Sequence, residues 1–145
     1  MFRLPGSIAA AALISGACAG TTAAPTVRPE PITAADVAAL TELMHHEDTR
    51  SFDAAAFDRL ASAPSQLIRT RTMLAAGRIG NRGAANLLLR GLADPSDSVR
   101  TYAAFALGEL GDSSANVAAA LGTLSTGSGA AAREAIAALG KIGGS

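Results

Sequence analysis

Three segments of the chain repeat one another: Ile68–Asn81 (IRTRTMLAAGRIGN), Val99–Asp112 (VRTYAAFALGELGD) and Ala131–Gly144 (AAREAIAALGKIGG). Each ends in Gly-x-[Ile/Leu]-Gly, at Gly77/Gly80, Gly108/Gly111 and Gly140/Gly143. Pro64 and Pro95 share the same spacing, each just ahead of a helical pattern. The period, on the order of 30 residues, means that each unit is one supersecondary element. Such a unit cannot bury its apolar face alone and must stack on its neighbours. The expected fold is all-α, an α-solenoid of antiparallel helix pairs.

The residues within a unit support helix, turn, helix. In the second unit Asp94 is expected to cap a helix, with Pro95 in its first turn, where the missing N–H costs nothing. Val99, Tyr102, Ala103, Ala106 and Leu110 then share one helical face. Gly111 ends the helix by accepting the left-handed conformation. Asp112 or Ser113 caps the next helix, whose face is Val117, Ala120, Leu121 and Leu124. In the preceding unit the second helix presents Ala85, Leu88, Leu89 and Leu92. The inner glycines, Gly77, Gly108 and Gly140, each cost about 1 kcal/mol against Ala within a helix. Their recurrence at one phase predicts close approach of a neighbouring helix. Hydrophobic residues are 49% of the chain but aromatics only 3%, so the core is thin and Ala-rich, which suits closely packed helix layers.

An earlier pair lacks the glycines but fits the layout. Thr33 is expected to cap Ala34–His46, with Val37, Leu40, Met44 and Leu43 inward, and Phe52–Ala61 to be its partner. This reads as a terminal capping unit. At the other end the last repeat reads as incomplete, a single helix with Ala135, Ile136, Leu139 and Ile142 partly uncovered.

Residues 1–19 have the layout of a secretory signal peptide: Arg3, a short apolar run Ile8–Ile14, then small residues. Crossing a bilayer needs about 20 apolar residues, more than this run offers. The single cysteine, Cys18, stands in LISGAC, which resembles a bacterial lipobox with Ser15 in place of the usual aliphatic residue. Three readings stand: lipidation of Cys18, cleavage after Ala19, since Ala17-Cys18-Ala19 fits A-x-A, or a buried or incidental cysteine. One cysteine permits no disulfide within the chain. Residues 20–32 hold Pro25, Pro29 and Pro31 and read as a Pro-rich linker. The repeat domain is expected over 33–145.

The segments VRTYAAFALGELGD, IRTRTMLAAGRIGN and AAREAIAALGKIGG resemble HEAT repeats of the bacterial type often named after phycobilisome lyases. The resemblance covers about Pro64–Gly143 well and Thr33–Ala63 weakly. It implies a solenoid that binds or scaffolds another macromolecule, since such repeats serve many roles. It also implies that an Asp in the inter-repeat turn and an Arg early in the first helix bond between layers. Arg69 and Arg100 match that Arg, and Asp94 matches the Asp. The counterpart of Asp94 one period earlier is Ala63, and Ala132 holds the Arg register in the last unit, with Arg133 displaced by one. No chromophore-binding residue accompanies the repeats.

Residues that could carry chemistry are few. His45 and His46 are adjacent, so on a helix they point about 100 degrees apart and cannot easily share an ion. They read as a solvated helix C-terminus, where imidazole sits near free carbonyls. His-Glu pairs occur in an iron-dependent hydroxylase built from HEAT-like repeats, which needs several on matching helices; this chain has one, His46-Glu47, and that departure speaks against the activity. Gly127-Ser128-Gly129 precedes a helix but lacks P-loop residues and reads as an inter-repeat turn. Ser125 lies in GTLSTG, which is no nucleophile elbow. Metal, cofactor and catalytic residues are thus expected to be none.

The twelve Lys and Arg balance twelve Asp and Glu, with no basic stripe, so nucleic acid is not an expected partner. A protein partner is, with Asn86, Arg90, Asn116 and Thr123 as contacts from the second helices. The leader places the protein in the bacterial cell envelope, periplasmic or held to a membrane by a lipid anchor. The leading function is a non-catalytic scaffold. The alternative is the front part of a larger envelope enzyme, such as one in which repeats precede a cyclophilin-type peptidyl-prolyl isomerase.

Overall fold

A computed structural model describes residues 31–144. Cys18, the leader and most of the Pro-rich linker lie outside the described residues. Within them are seven α-helices and no strand. They are α1 (Ala34–Thr49), α2 (Ala54–Ala61), α3 (Gln66–Ile79), α4 (Ala85–Gly91), α5 (Asp97–Leu110), α6 (Ala115–Ser125) and α7 (Ala130–Gly143). One 3₁₀ turn, Arg82–Ala84, leads into α4. The all-α solenoid expected from the period is what forms. The long helices α1, α3, α5 and α7 stack side by side as one layer, and α2, α4 and α6 form the second.

Local chemistry sets the boundaries. Thr33 caps α1 in a reciprocal box: its Oγ1 accepts from the Asp36 N–H at 3.1 Å and its own N–H donates to Asp36 Oδ2 at 2.8 Å. Two bonds donated to that carboxyl, from the Thr33 N–H first and then from the Thr33 hydroxyl at 2.8 Å, hold Asp36 below the usual carboxylate range. Asp53 caps α2 by accepting from the N–H groups of Ala55 and Ala56, which is why α2 starts at Ala54 rather than Phe52. Gly80 and Gly111 end α3 and α5 with φ of 73° and 60°, as the glycine pattern predicts. Arg50 does the same for α1 with φ 50°, without being glycine; α1 runs past the expected His46 to Thr49.

Asp94 does not cap α5. The helix starts later, with Ser96 as its first flanking residue, and the Asp94 Oδ1 accepts from the Ser96 N–H at 2.8 Å in the turn before it. Asp112 likewise accepts from the Ser114 N–H at 3.0 Å, so α6 is flanked by Ser114, just beyond the expected caps. Side-chain oxygens that close such turns compete with the helix for the backbone, which delays its start.

Two glycines of the inner phase sit where helices nearly touch. A Cβ on Gly77 would lie 2.7 Å from the Ala106 Cβ and 2.9 Å from its Cα. A Cβ on Gly108 would lie 3.0 Å from both the Cα and Cβ of Ala138. So α3 meets α5, and α5 meets α7, through the same Gly-on-Ala notch, one period apart. Gly140 departs from the expectation: nothing lies within 4 Å of its would-be Cβ.

The second-layer helices settle the pairing differently from a simple reading of hairpins. Each packs mainly against the first-layer helix that follows it: α2 on α3, α4 on α5, α6 on α7. Gly91 shows how. A Cβ there would meet Met73 Sδ of α3 at 2.6 Å and Ala103 Cβ of α5 at 2.9 Å, so α4 lies in the groove between two long helices. The consequence corrects the expectation of an uncovered α7. With α5 beside it and α6 over it, Ala135 and Ile142 are buried and Leu139 half-buried; of the four, Ile136 alone is exposed.

Other inward faces also shift. Tyr102 is exposed, while Ala104 and Leu107 are fully buried. Helix α5 touches α3, α4 and α7, so its buried arc is wide and centred on Leu107. In α1, Leu43 is buried and Leu40 half-buried, but Val37 and Met44 are exposed. Their equivalents one period later, Ile68 and Ala75, are buried because α3 has α1 and α2 against it.

Candidate functional site

The repeat interfaces are tied by arginines whose positions the sequence marks. Arg69 Nη1 donates to the carbonyls of Ala63 and Pro64 at 3.0 and 2.9 Å. Its Nε and Nη2 donate to Asp94 Oδ2 and Oδ1 at 2.8 and 3.3 Å. One period later, Arg100 Nη1 donates to the carbonyls of Asp94 and Pro95 at 2.7 and 3.0 Å. Arg100 has no second Asp94 to reach; its Nη2 turns to Asp97 Oδ1 at 3.0 Å. Asp97 Oδ2 in turn accepts from the Ala130 N–H at 3.3 Å. Gly129, with φ 92°, allows that approach, and the Gly127-Ser128-Gly129 stretch acts as a turn between repeats. Arg69, Asp94 and Arg100 thus form one relay through successive inter-repeat turns. Burial opposes ionisation of Asp94, but the bonds from Arg69 and the Ser96 N–H, with the charges of Arg69 and Arg100, outweigh it. Its carboxyl is held below the usual carboxylate range.

A second set of charges was missed by reading motifs alone. Glu47, Arg78, Glu109 and Lys141 occupy one register of the repeat. Arg78 and Arg71 pair with Glu47, and Lys141 pairs with Glu109 while lying over the Phe105 ring. Applying the period to charged residues, and not only to glycines, would have found it.

His46 is engaged locally. Its Nδ1 lies 3.1 Å from the Ser51 carbonyl and 3.0 Å from Ser51 Oγ, and its ring meets the Phe57 edge at 5.4 Å between centroids. It fastens the α1–α2 turn. His45 is exposed, its ring centroid 6.1 Å from that of His46. Among the described residues no three His, Cys, Asp or Glu side chains gather where they could hold a metal.

A cleft of about 420 Å³ opens between α2 and α4. Ala61, Met73, Leu87 and Gly91 supply its apolar lining. Asp58, Ser62, Arg90 and Asp94 supply the polar one. Arg90 and Asp58, one period apart, form an ion pair across it, with both side chains more than half exposed. Of the four expected contact residues, Arg90 alone lines this cleft; Asn86, Asn116 and Thr123 are exposed elsewhere on α4 and α6. Long exposed side chains beside an apolar floor are the arrangement in which a partner's segment can bury surface and exchange the internal ion pair for its own.

With stacked helix pairs, Gly-on-Ala notches and an arginine relay, the described part is an α-solenoid of short repeats. Residues 85–145 match the family model for HEAT repeats, which supports a HEAT-repeat protein; such repeats generally mediate protein–protein interaction. Comparison with curated proteins and with solved structures found no match.

Proposed function

We propose that the chain is a non-catalytic HEAT-type scaffold of the bacterial cell envelope that takes a segment of a protein partner in the α2–α4 cleft. The observation that carries the reading is the exposed Asp58–Arg90 pair over an apolar floor of Met73 and Leu87. An exposed ion pair contributes only about 0–1 kcal/mol to stability, so a partner can break it at little cost. Envelope placement rests on Arg3, the apolar run Ile8–Ile14 and Cys18 in the sequence. A lipid on Cys18 would hold the solenoid at a membrane face.

Two measurements test this. A photo-crosslinking residue at position 90 is expected to give a reproducible adduct with one other protein in envelope extracts, and one at exposed Gln66 is not. Absence of any adduct specific to position 90 overturns the cleft reading. The intact mass of the mature protein reads the N-terminus: diacylglyceryl on Cys18 gives the anchored form, a start at Gly20 the soluble exported form. An unprocessed Met1 removes the envelope placement.

A further inference from the structure

The two ends of the described helix stack present faces that match each other in register. At one end, α7 exposes Arg133, Ile136, Ala137 and Gly140, positions i, i+3, i+4 and i+7 of one line. Ile136 is 60% exposed, and the Gly140 notch is open. At the other end, α1 exposes Val37, Thr41, Met44 and Asp48, also one line, with Val37 and Met44 55% and 56% exposed.

The internal interfaces say what such faces accept. Gly77 takes Ala106 of the next long helix, and Gly108 takes Ala138. Ala75, Ala106 and Ala138 share one register, and Met44 stands one period before Ala75. Met44 is therefore the residue that repeat geometry sets opposite Gly140 when α1 of another molecule follows α7. The unbranched Met side chain suits an open glycine notch.

We propose that two copies of this chain associate head to tail, the α7 face of one receiving the α1 face of the next. The contact continues the α3–α5 and α5–α7 stacking across molecules. It is heterologous, so each dimer keeps one free α7 face and one free α1 face, and longer assemblies form as concentration rises.

The test is sedimentation velocity of the purified mature chain over a roughly hundredfold concentration range. Ile136→Asp spoils the α7 face and Met44→Asp the α1 face. Both positions are exposed, and circular dichroism and thermal melting check that each variant stays folded. The wild type is expected to show concentration-dependent oligomers, and each variant alone a monomer. A mixture of the two variants restores association but stops at a dimer, because only one good α7 face and one good α1 face remain. A wild type that stays monomeric overturns the proposal. So does an assembly that Met44→Asp leaves intact, which would mean a symmetric α7–α7 contact, and so does a mixture that fails to form the dimer. None of these readings depends on the α2–α4 cleft.

Discussion

Arg69 and Asp94, far apart in sequence, meet through two hydrogen bonds at 2.8 and 3.3 Å, with their side chains only 16% and 11% exposed. The same guanidinium holds the carbonyls of Ala63 and Pro64, so one side chain ties the turn before α3 to the turn before α5. Removing either partner leaves the other charge largely buried and unpaired, which costs about 3 kcal/mol or more. Arg69→Ala and Asp94→Ala should each lower the unfolding free energy by that order, read as a lower urea midpoint with unchanged slope. The double mutant should lose much less than the sum. Arg69→Lys should not rescue, because an ammonium lacks the planar fork that serves carboxylate and carbonyls together.

Acid should weaken the fold through the aspartates that serve as acceptors. Asp94, Asp36 and Asp112 all have carboxyls held below their ordinary value of 3.8. For Asp112 the Ser114 N–H is the main cause. A lowered folded-state value means the unfolded chain binds more protons, so the stability contribution is complete above about pH 4. It is lost as pH falls through the lowered values. Urea midpoints measured from neutral pH downward should be flat and then drop below about pH 4. Asp94→Asn should be less stable at neutral pH and show a shallower acid drop.

The three inner glycines should respond differently to the same substitution. Gly77→Ala and Gly108→Ala put a methyl group against backbone of the facing helix and should cost about 1–3 kcal/mol by overpacking. Gly140→Ala meets open space and should stabilise by up to about 1 kcal/mol through helix propensity. Thermal melts of the three variants at low protein concentration check the sign. A Gly140→Ala loss equal to that of Gly77→Ala would contradict the open notch.

The Asp58–Arg90 pair should matter little to folding. With both side chains more than half exposed, Asp58→Ala should change stability by under about 0.5 kcal/mol. By contrast Leu107→Ala, at a fully buried site in α5, should cost about 3–5 kcal/mol. Denaturant titration of both variants sets the scale against which any binding loss of Asp58→Ala or Arg90→Ala is read.

The repeat period and its local residue pattern were enough to give the all-α solenoid, the left-handed Gly80 and Gly111 and the Thr33 cap, each of them local backbone chemistry or a residue type repeated at one phase. The inter-repeat role of Arg69, Asp94 and Arg100 came instead from the resemblance to HEAT repeats. The α2–α4 cleft was legible only through Arg90, because Asp58, Met73 and Leu87 come from three separate helices. Nothing in their spacing says that α4 settles in the groove between α3 and α5. Packing between helices likewise decided that Ile142 is buried and Tyr102 exposed.

Sequence alone determined which positions are equivalent; tertiary structure alone decided which equivalent positions are covered. Gly77 and Gly140 stand in nearly the same local sequence, Ala-Ala-Gly-Arg-Ile-Gly and Ala-Leu-Gly-Lys-Ile-Gly. One is filled by Ala106 and the other is open. Propensity and periodicity act along a helix, but burial depends on what lies across from it. Only the stacked helices supply that neighbour.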